Sequence, residues 1–304
     1  MDLGEAAQAW RDDGFVILPG FIPLEELEPA AGELELLFPS AEGFHDATDP
    51  RRERFIGSQF AGIDYFPFAS TEISLLAVNH RILTLAETLL EDEGVQISGA
   101  EAWAKYGGAS DYEQDLHRDY PGHTLLVPST APAFRQLEMF VYLADVPNES
   151  GPAHLVSRKH TADLPAVPHR YLRPGRESTS RVQDASGSPH LYAAEVSAAG
   201  PAGTVVAFEI GTVHRGTAMT AQRGARYTMH LNFRPSGVHW GQRRGWAYAA
   251  GRDNWAEFIE RATPRQLLTF GFPPPGHPYW TPETLAGTAL RYPGLDLTPW
   301  SEPR

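Results

Sequence analysis

The chain has 304 residues, and its 25 basic and 38 acidic side chains give a formal net charge of −13 at pH 7. This acidic balance, without any run of basic residues, argues against nucleic acid and anionic membrane surfaces as partners. The absence of cysteine excludes disulfides, thiolate zinc sites, iron–sulfur clusters and cysteine nucleophiles. The N-terminus lacks a signal-peptide pattern and no stretch approaches about 20 apolar residues, so we expect a soluble cytoplasmic protein that does not bind membranes.

The first 94 residues predict helices around one short strand. Apolar residues recur at helical spacing over residues 4–14. The segment GFVILPGFI, residues 14–22, is typical of a short buried strand broken by a Pro-Gly turn. Residues 23–38 and 71–93 predict further helices with one apolar stripe each. We therefore expect this part of the chain to flank a core built from later residues.

From about residue 95 the pattern changes to short strands separated by turn residues, which is typical of a sandwich or barrel. The candidate strands are VQISGAEAWAKY (95–106), HTLLVP (123–128), LEMFVYLADV (137–146), GTVVAFEI (203–210) and RYTMHLNFR (226–234). After residue 236 the chain returns to aromatic-rich helix and coil. Without a repeat or a linker, we expect residues 1–304 to form a single domain, with an N-terminal part (1–94), a β core (95–235) and a C-terminal extension (236–304). The extension is a candidate lid or homo-oligomer contact.

The segment DLHRDYPGH, residues 115–123, contains four side chains that could bind a metal or transfer protons. In an extended strand, residues i and i+2 point to the same face, so His117 and Asp119 are expected to lie side by side. His214 is the best candidate for a third ligand because it follows a buried strand after a Gly-Thr break. Two histidines and one carboxylate on one side of a metal are the ligand set of non-heme Fe(II) oxygenases.

An H-x-D pair is common by chance, so a metal site needs further evidence, which comes from the strand that follows His214. In RYTMHLNFR, apolar residues alternate with a polar face that begins with Arg226. An arginine directed into a β-barrel is costly unless it meets an anion, and its planar fork suits a carboxylate. A dicarboxylate held by a metal at one end and by Arg226 at the other would satisfy both. The rival arginines, Arg223 and Arg215, are expected in a turn and in solvent.

The strand GAEAWAKY leaves two interpretations open. Glu101, Trp103 and Lys105 alternate with alanines, so the large side chains either line a substrate pocket or lie on the surface. In the first case Trp103 would stack on a ring and Lys105 would meet an anion. Phe140 begins an apolar run, which is typical of a core residue, and its position also makes it a candidate for the pocket.

Four segments in order resemble the phytanoyl-CoA dioxygenase family of Fe(II)/2-oxoglutarate-dependent oxygenases, over about residues 8–235. They are DDGFVILPGFIPLEELEPA, LHRDY, VYLADVPNESGPAHLVSRKH and GTVVAFEIGTVHRGT followed by the arginine strand. The resemblance implies a mainly β fold with flanking helices and a double-stranded β-helix (jelly-roll, cupin-like) core. It also implies that His117, Asp119 and His214 bind iron, and that Arg226 holds the distal carboxylate of 2-oxoglutarate.

Two features depart from the family pattern. VSRKH, residues 156–160, replaces the usual Pro-Gly-Ser-His run, and Phe140 stands where many members have tryptophan. Both concern the shape of the pocket rather than the metal ligands. Related halogenases lack the carboxylate ligand, so the presence of Asp119 favours hydroxylation or another oxidation over halogenation.

The function implied is a dioxygenase that uses Fe(II), 2-oxoglutarate and O2 and releases succinate and CO2. It would hydroxylate, desaturate or cyclise a small organic substrate, in keeping with bacterial specialised metabolism and natural product biosynthesis. Two alternatives keep the same three ligands. One is a metal-binding jelly-roll module without oxygenase turnover, and the other is a zinc-dependent hydrolase.

Overall fold

The computed structural model describes residues 2–129, 131–186 and 188–301. The strands, in chain order, are β1 (Phe15–Leu18), β2 (Asp64–Tyr65), β3 (Gln96–Tyr106), β4 (Leu116–His117), β5 (Leu137–Tyr142), β6 (Ala153–Val156), β7 (Arg170–Tyr171), β8 (Gln183–Asp184), β9 (Glu195–Ser197), β10 (Val205–Glu209), β11 (His214–Gly216) and β12 (Ala225–Arg234).

The helices are α1 (Leu3–Asp13), α2 (Leu24–Gly32), α3 (Leu34–Leu37), α4 (Ala41–His45), α5 (Thr71–Leu76), α6 (His80–Leu90), α7 (Tyr120–His123), α8 (Ser188–Ala193), α9 (Trp246–Ala249), α10 (Asp253–Arg261), α11 (Pro264–Leu268), α12 (Pro282–Arg291) and α13 (Thr298–Ser301). Helix α1 shows how the local sequence determines where a helix begins and ends. Asp2 caps the N-terminus of α1 in a capping box with Glu5, and Gly14 ends the helix at φ 80°, a left-handed conformation that favours glycine.

The strands form two six-stranded sheets. The order is β1-β10-β5-β12-β3-β2 in the larger sheet and β8-β7-β4-β11-β6-β9 in the smaller one. The pairs between these strands are antiparallel except for β7 with β8. Phe140 and Phe208 of the larger sheet pack with Leu155 of the smaller one in a shared apolar cluster. The predicted double-stranded β-helix core with flanking helices is confirmed.

Strand β3 is buried on both faces because the larger sheet lies between the helices and the jelly-roll interior. Ala100 and Ala102 pack in the main core together with helical residues such as Leu83. On the opposite face, Trp103 and Lys105 line a cavity inside the jelly roll. Of the two sequence interpretations of this strand, the one that directs the large side chains into a pocket is therefore correct.

The predicted strand HTLLVP is wrong. Within residues 123–128, His123 ends α7, and the following residues form a loop in which the side chain of Leu125 is 85% exposed. The backbone N–H of Leu125 donates to the carbonyl of Trp240, at 3.0 Å, so the loop pairs with another loop instead of a sheet. An apolar run indicates a strand only when a neighbouring strand covers it.

The expectation that no apolar segment is long enough to cross a membrane is also wrong. Thr71–Leu90 meets that test by length and composition, with a mean hydropathy of 1.3. It is divided into α5 and α6 by a break at Ala77–Asn79, and Asn79 caps α6 through its side chain. Because 61% of the 18-residue window with this hydropathy is buried within the protein, packing in the core explains its hydrophobicity.

Candidate active site

Two histidines meet where the short strands β4 and β11 pair in the smaller sheet. His117 and His214 are direct partners in the antiparallel register, and their ring centroids lie 4.7 Å apart. Asp119 lies two residues beyond the end of β4, at the turn that begins α7. The side-by-side arrangement of His117 and Asp119 was predicted from an extended strand, but the strand ends at His117 and a turn carries Asp119 to the same site.

Backbone carbonyls fix the orientation of both rings. Nδ1 of His117 lies 2.8 Å from the carbonyl oxygen of Asp115, and Nδ1 of His214 lies 3.1 Å from that of Thr212. A carbonyl only accepts, so Nδ1 of each ring carries a proton and each Nε2 is directed at Asp119, where it can bind a metal once its own proton is lost. Each Nε2 lies 3.3 Å from a different oxygen of that carboxylate.

These separations fit three ligands around one cation. Two ligand atoms that are each about 2.1 Å from a shared metal, at right angles, lie about 3 Å apart. His117, Asp119 and His214 each offer one ligand atom, and these atoms lie within 4.8 Å of one another. The donor set, two imidazoles and one carboxylate on one side, leaves the opposite side open to the cavity and suits Fe(II).

Burial and charge act in opposite directions on this triad. Burial alone would raise the pKa of Asp119, but the neighbouring His214 and the hydrogen bonds from both histidines hold it well below its usual value. Burial would likewise lower the pKa of His214, yet Asp119 raises it above the usual value. The carboxylate is therefore ionised and ready to bind a cation, which would replace a proton shared with the rings.

A second group of polar side chains lies along the cavity on the larger sheet. Arg226 on β12 pairs directly with Lys105 on β3, and the two residues are only 6% and 5% exposed. Burial lowers the pKa of both side chains, and in the described part of the chain neither forms an ion pair with a carboxylate. Two buried basic groups without an acidic partner among the described residues suit an anion from outside the chain, which would favour the charged form of both.

Further donors near Arg226 lack partners. Nε of Arg226, the hydroxyls of Tyr142 and Thr228, and the indole N–H of Trp103 are buried without a hydrogen bond among the described residues. Thr228 lies opposite Tyr142 in one ladder and opposite Trp103 in the other, so these groups are neighbours. Buried donors without a partner in the described part of the chain suit a polar ligand in this cavity.

The cavity that joins the triad and this pair has a volume of about 320 Å³. Trp103 and Phe140, both predicted to lie at the substrate pocket, line it, with their ring centroids 6.4 Å apart. The side chain of Phe140 also packs near His214, at 6.2 Å between ring centroids. These aromatic rings give the cavity an apolar wall next to the metal triad.

Sequence reasoning missed a buried network at the other end of the cavity. Glu138 on β5 accepts hydrogen bonds from His230 (2.5 Å), Asn232 (2.5 Å) and His123 (2.9 Å). His230 also lies 3.6 Å from Glu101. The strand alternation predicted which face of β12 is polar, but Glu138 stands in an apolar run whose partners depend on the sheet register.

This network can also be compared with a metal site. Asp119, His123, Glu138 and His230 offer four ligand atoms within 4.8 Å of one another. However, the contact of Glu138 with His230, at 2.5 Å, is shorter than the separation of ligands around a shared metal, and it matches a hydrogen bond, as does the 2.9 Å contact with His123. The triad is therefore the better candidate for a metal, and the second group is a hydrogen-bonded network.

The network makes the stability of the metal-free protein depend on pH. Burial would lower the pKa of His230, but Glu138 and Glu101 raise it to about 9. A raised pKa in the folded state stabilises the protein fully below about pH 6.5, and this contribution is lost as the pH rises through 9. We expect the free energy of unfolding to fall by roughly 2–3 kcal/mol over that interval.

Urea unfolding of the metal-free protein at pH 6.5 and pH 9 measures this loss. The variant His230→Gln keeps a donor for Glu138 but does not titrate, so its free energy of unfolding should change much less between the two pH values. The exposed His160 provides the matched control, and His160→Gln should behave as the wild type. An equal loss in wild type and His230→Gln would contradict the assignment to His230.

Other candidate residues from the sequence have structural roles. Asp115 is buried, accepts hydrogen bonds from Arg176, and lies 3.4 Å from Nε of Arg173. Arg223 lies in a turn, as predicted, and its exposed side chain pairs with Asp46. The expectation that Arg215 is in solvent is wrong.

Arg215 is 8% exposed because two carboxylates hold it beside His214. It pairs with Glu195, at 2.7 Å, and with Glu113. The same contacts join β11 to the loop before β4 and to β9, so Arg215 ties together the two strands that carry His117 and His214.

The C-terminal extension reaches the cavity through Arg243. Its guanidinium donates to Asn232 at 2.9 Å and to Glu101 at 3.1 Å. The alternation pattern that indicated β12 stops at residue 234, so no sequence signal pointed to this contact. Farther along the extension, Trp255 and Phe258 pack in the main core.

The sequence profile of the phytanoyl-CoA dioxygenase (PhyH) family matches residues 10–226. No curated protein sequence matches at a significant level. Among solved structures, the chain is similar to the epimerase SnoN in complex with Fe3+, alpha-ketoglutarate and nogalamycin RO, with 21% identity and a TM-score of 0.53. The alignment covers 77% of this chain and 84% of SnoN.

Two other structures have the same fold. The carbocyclase SnoK from nogalamycin biosynthesis is 18% identical, with a TM-score of 0.52 and coverage of 76% of this chain and 83% of SnoK. Iron-bound HygX from Streptomyces hygroscopicus is 18% identical, with a TM-score of 0.52 and coverage of 77% and 87%. Enzymes of the phytanoyl-CoA dioxygenase family use Fe(II), 2-oxoglutarate and O2. Since the family profile spans well over half of the sequence, the chain belongs to the phytanoyl-CoA dioxygenase family.

Proposed function

We propose that this protein is an Fe(II)- and 2-oxoglutarate-dependent dioxygenase that hydroxylates a small organic substrate and releases succinate and CO2. The observation that carries the proposal is one cavity that holds both a facial His-Asp-His triad and the neighbouring side chains of Lys105 and Arg226, which have no carboxylate partner among the described residues. Desaturation or ring closure would use the same residues. The similar structures include an epimerase and a carbocyclase. This range supports the view that one type of oxidation step can lead to different products in enzymes of this fold.

In this proposal, Nε2 of His117, Nε2 of His214 and the carboxylate of Asp119 hold the iron. The bound Fe(II) supplies oxidation of a C–H bond with O2 when 2-oxoglutarate is its co-substrate. The chain itself contributes the orientation of both rings, through the carbonyls of Asp115 and Thr212. It also contributes a cavity wall of Trp103 and Phe140 that limits the access of water.

The Lys105–Arg226 pair would bind the distal carboxylate of 2-oxoglutarate. One guanidinium and one ammonium match the charge of a carboxylate that is removed from water, and Arg226 can bind it with two parallel hydrogen bonds. The hydroxyls of Tyr142 and Thr228 are two further donors without partners among the described residues. The other carboxylate and the keto group would then face the triad.

We further propose that residues 1–304 act as one cytoplasmic domain in which the extension closes the substrate cavity. The contacts of Arg243 and the packing of Trp255 into the main core support a wall or lid. The extension also leaves room for a homo-oligomer contact, since Tyr248 is 92% exposed. Substrates from bacterial natural product biosynthesis fit this proposal, because SnoN and SnoK belong to nogalamycin biosynthesis.

Anaerobic addition of Fe(II) and 2-oxoglutarate to the purified protein tests the proposal. We expect a weak visible metal-to-ligand charge-transfer band that needs both components, followed by formation of succinate when air is admitted. A band that does not form, together with no succinate, would leave a metal-binding module without turnover. Activity that persists with Zn(II), without O2 or 2-oxoglutarate, would instead indicate a zinc hydrolase.

A further inference from the structure

His123 lies at the end of the cavity that the proposed co-substrate does not use. It ends α7, lines the cavity, and contacts the network around Glu138 and His230. His230 follows Arg226 by four residues on β12, a distance of about 13 Å along a strand. The cavity therefore has one end for a dicarboxylate and another end, beside His123, for a second molecule.

The hydrogen bonds of Glu138 decide which nitrogen of His123 carries the proton. Burial would raise the pKa of Glu138, but its histidine neighbours lower it to about 2, so it is ionised and can only accept. Nδ1 of His123, 2.9 Å from Oε1 of Glu138, must therefore donate. In the neutral ring, Nε2 then has a free lone pair, and no described residue donates a hydrogen bond to it.

The cations at this end of the cavity are already paired. Arg243 donates to Glu101 and Asn232, and His230 lies between Glu138 and Glu101. An anionic group of a substrate would find no unpaired cation here, in contrast to the Lys105–Arg226 end. A neutral donor meets the free lone pair of His123 without adding a buried charge.

We propose that Nε2 of His123 accepts a hydrogen bond from a hydroxyl or amino group of the substrate and so orients the substrate toward the metal triad. The substrate class is then a small molecule with an apolar body, against Trp103 and Phe140, and at least one hydrogen-bond donor. This inference rests on the proposed function. His123 is a specificity-determining residue rather than a metal ligand.

A matched pair of probes tests the donor requirement. The diol trans-1,4-cyclohexanediol and its dimethyl ether have the same ring, but only the diol can donate. With 15N-histidine-labelled protein loaded with Zn(II) and 2-oxoglutarate, Zn(II) being diamagnetic, the Nε2 resonance of His123 should be that of an unprotonated nitrogen. It should move with the diol and stay in place with the ether. We expect the diol to bind about 10-fold more tightly, the effect of one net hydrogen bond.

The variant His123→Phe keeps a ring but removes the acceptor, and it should bind both probes equally. The exposed His160 gives the control, because His160→Phe should discriminate as the wild type does. An Nε2 that is protonated, or that does not respond to millimolar diol in the wild type, overturns the inference, and this measurement does not depend on the variant folding.

The charge-transfer band with Fe(II) and 2-oxoglutarate separates this failure from a failure of the proposed function. A wild type that forms the band but treats diol and ether alike overturns only the role of His123. A wild type that forms no band overturns the proposed function and the inference together. The exposed control variant His160→Phe should form the band at the same 2-oxoglutarate concentration as the wild type.

Discussion

The variant Asp119→Ala is expected to lose metal binding and 2-oxoglutarate turnover. Both histidine rings face its carboxylate, each at 3.3 Å. The loss of groups that only support a ligand typically costs about 10- to 100-fold in metal affinity or activity, so loss of the ligand itself should exceed about 100-fold. Iron content after anaerobic reconstitution and the rate of succinate formation measure the effect.

Asp163→Ala provides the control, since Asp163 is exposed and has the same side chain. It should bind iron and form succinate as the wild type does. Wild-type turnover in Asp119→Ala would contradict the role of this carboxylate as a ligand.

The variant Arg226→Ala should raise the concentration of 2-oxoglutarate needed for half-saturation by at least about 30-fold. This follows from about 2–5 kcal/mol for the loss of one partner of a buried, hydrogen-bonded charge pair. Lys105 remains beside the site, so binding should weaken without being abolished. Titration of the charge-transfer band with 2-oxoglutarate measures affinity, and the iron content of the variant should be unchanged.

Arg223→Ala is the matched control because Arg223 is three residues away and exposed. Arg226→Lys should lie between the wild type and Arg226→Ala, since an ammonium keeps the charge but cannot bind a carboxylate through a planar fork. If Arg226→Ala binds 2-oxoglutarate as tightly as the wild type does, the anion must bind elsewhere in the cavity.

Much of the site could be predicted because it follows the geometry of strands. The alternation in β12 placed Arg226 on the polar face, and the break before His214 indicated a residue at the rim of the sheet. The position of Asp119 was predicted correctly for an incomplete reason, since a turn rather than a strand brings it beside His117. Residue order and periodicity are enough to predict a site when its residues lie on regular strands.

The other features of the site could not be predicted, because they depend on contacts between residues that are far apart in the sequence. Glu138 lies in an apolar strand and becomes the centre of a polar network only because β5 pairs with β12 in one register. Pro121 and Gly122 form a turn before His123, so strand periodicity gives no direction for its ring. Arg243 belongs to a loop after the last core strand, so its contact with Glu101 could not be read from any periodic pattern.

The predicted helices show the same limit. Residues 71–93 have one apolar pattern, but Asn79 supplies a cap that divides them into α5 and α6. The failed strand HTLLVP had the right composition and no neighbouring strand to pair with. In both cases the folded chain overrides the preference of the local sequence. The Asn79 cap divides the helix, and the lack of a partner strand leaves HTLLVP as a loop.

A crystal structure of the protein prepared without O2, with Fe(II) and 2-oxoglutarate, tests the central claim most directly. We expect iron bonded to Nε2 of His117, Nε2 of His214 and a carboxylate oxygen of Asp119, and the distal carboxylate of 2-oxoglutarate on Arg226 and Lys105. Iron bound instead by the network around Glu138, or 2-oxoglutarate without contact to Arg226, would contradict the account.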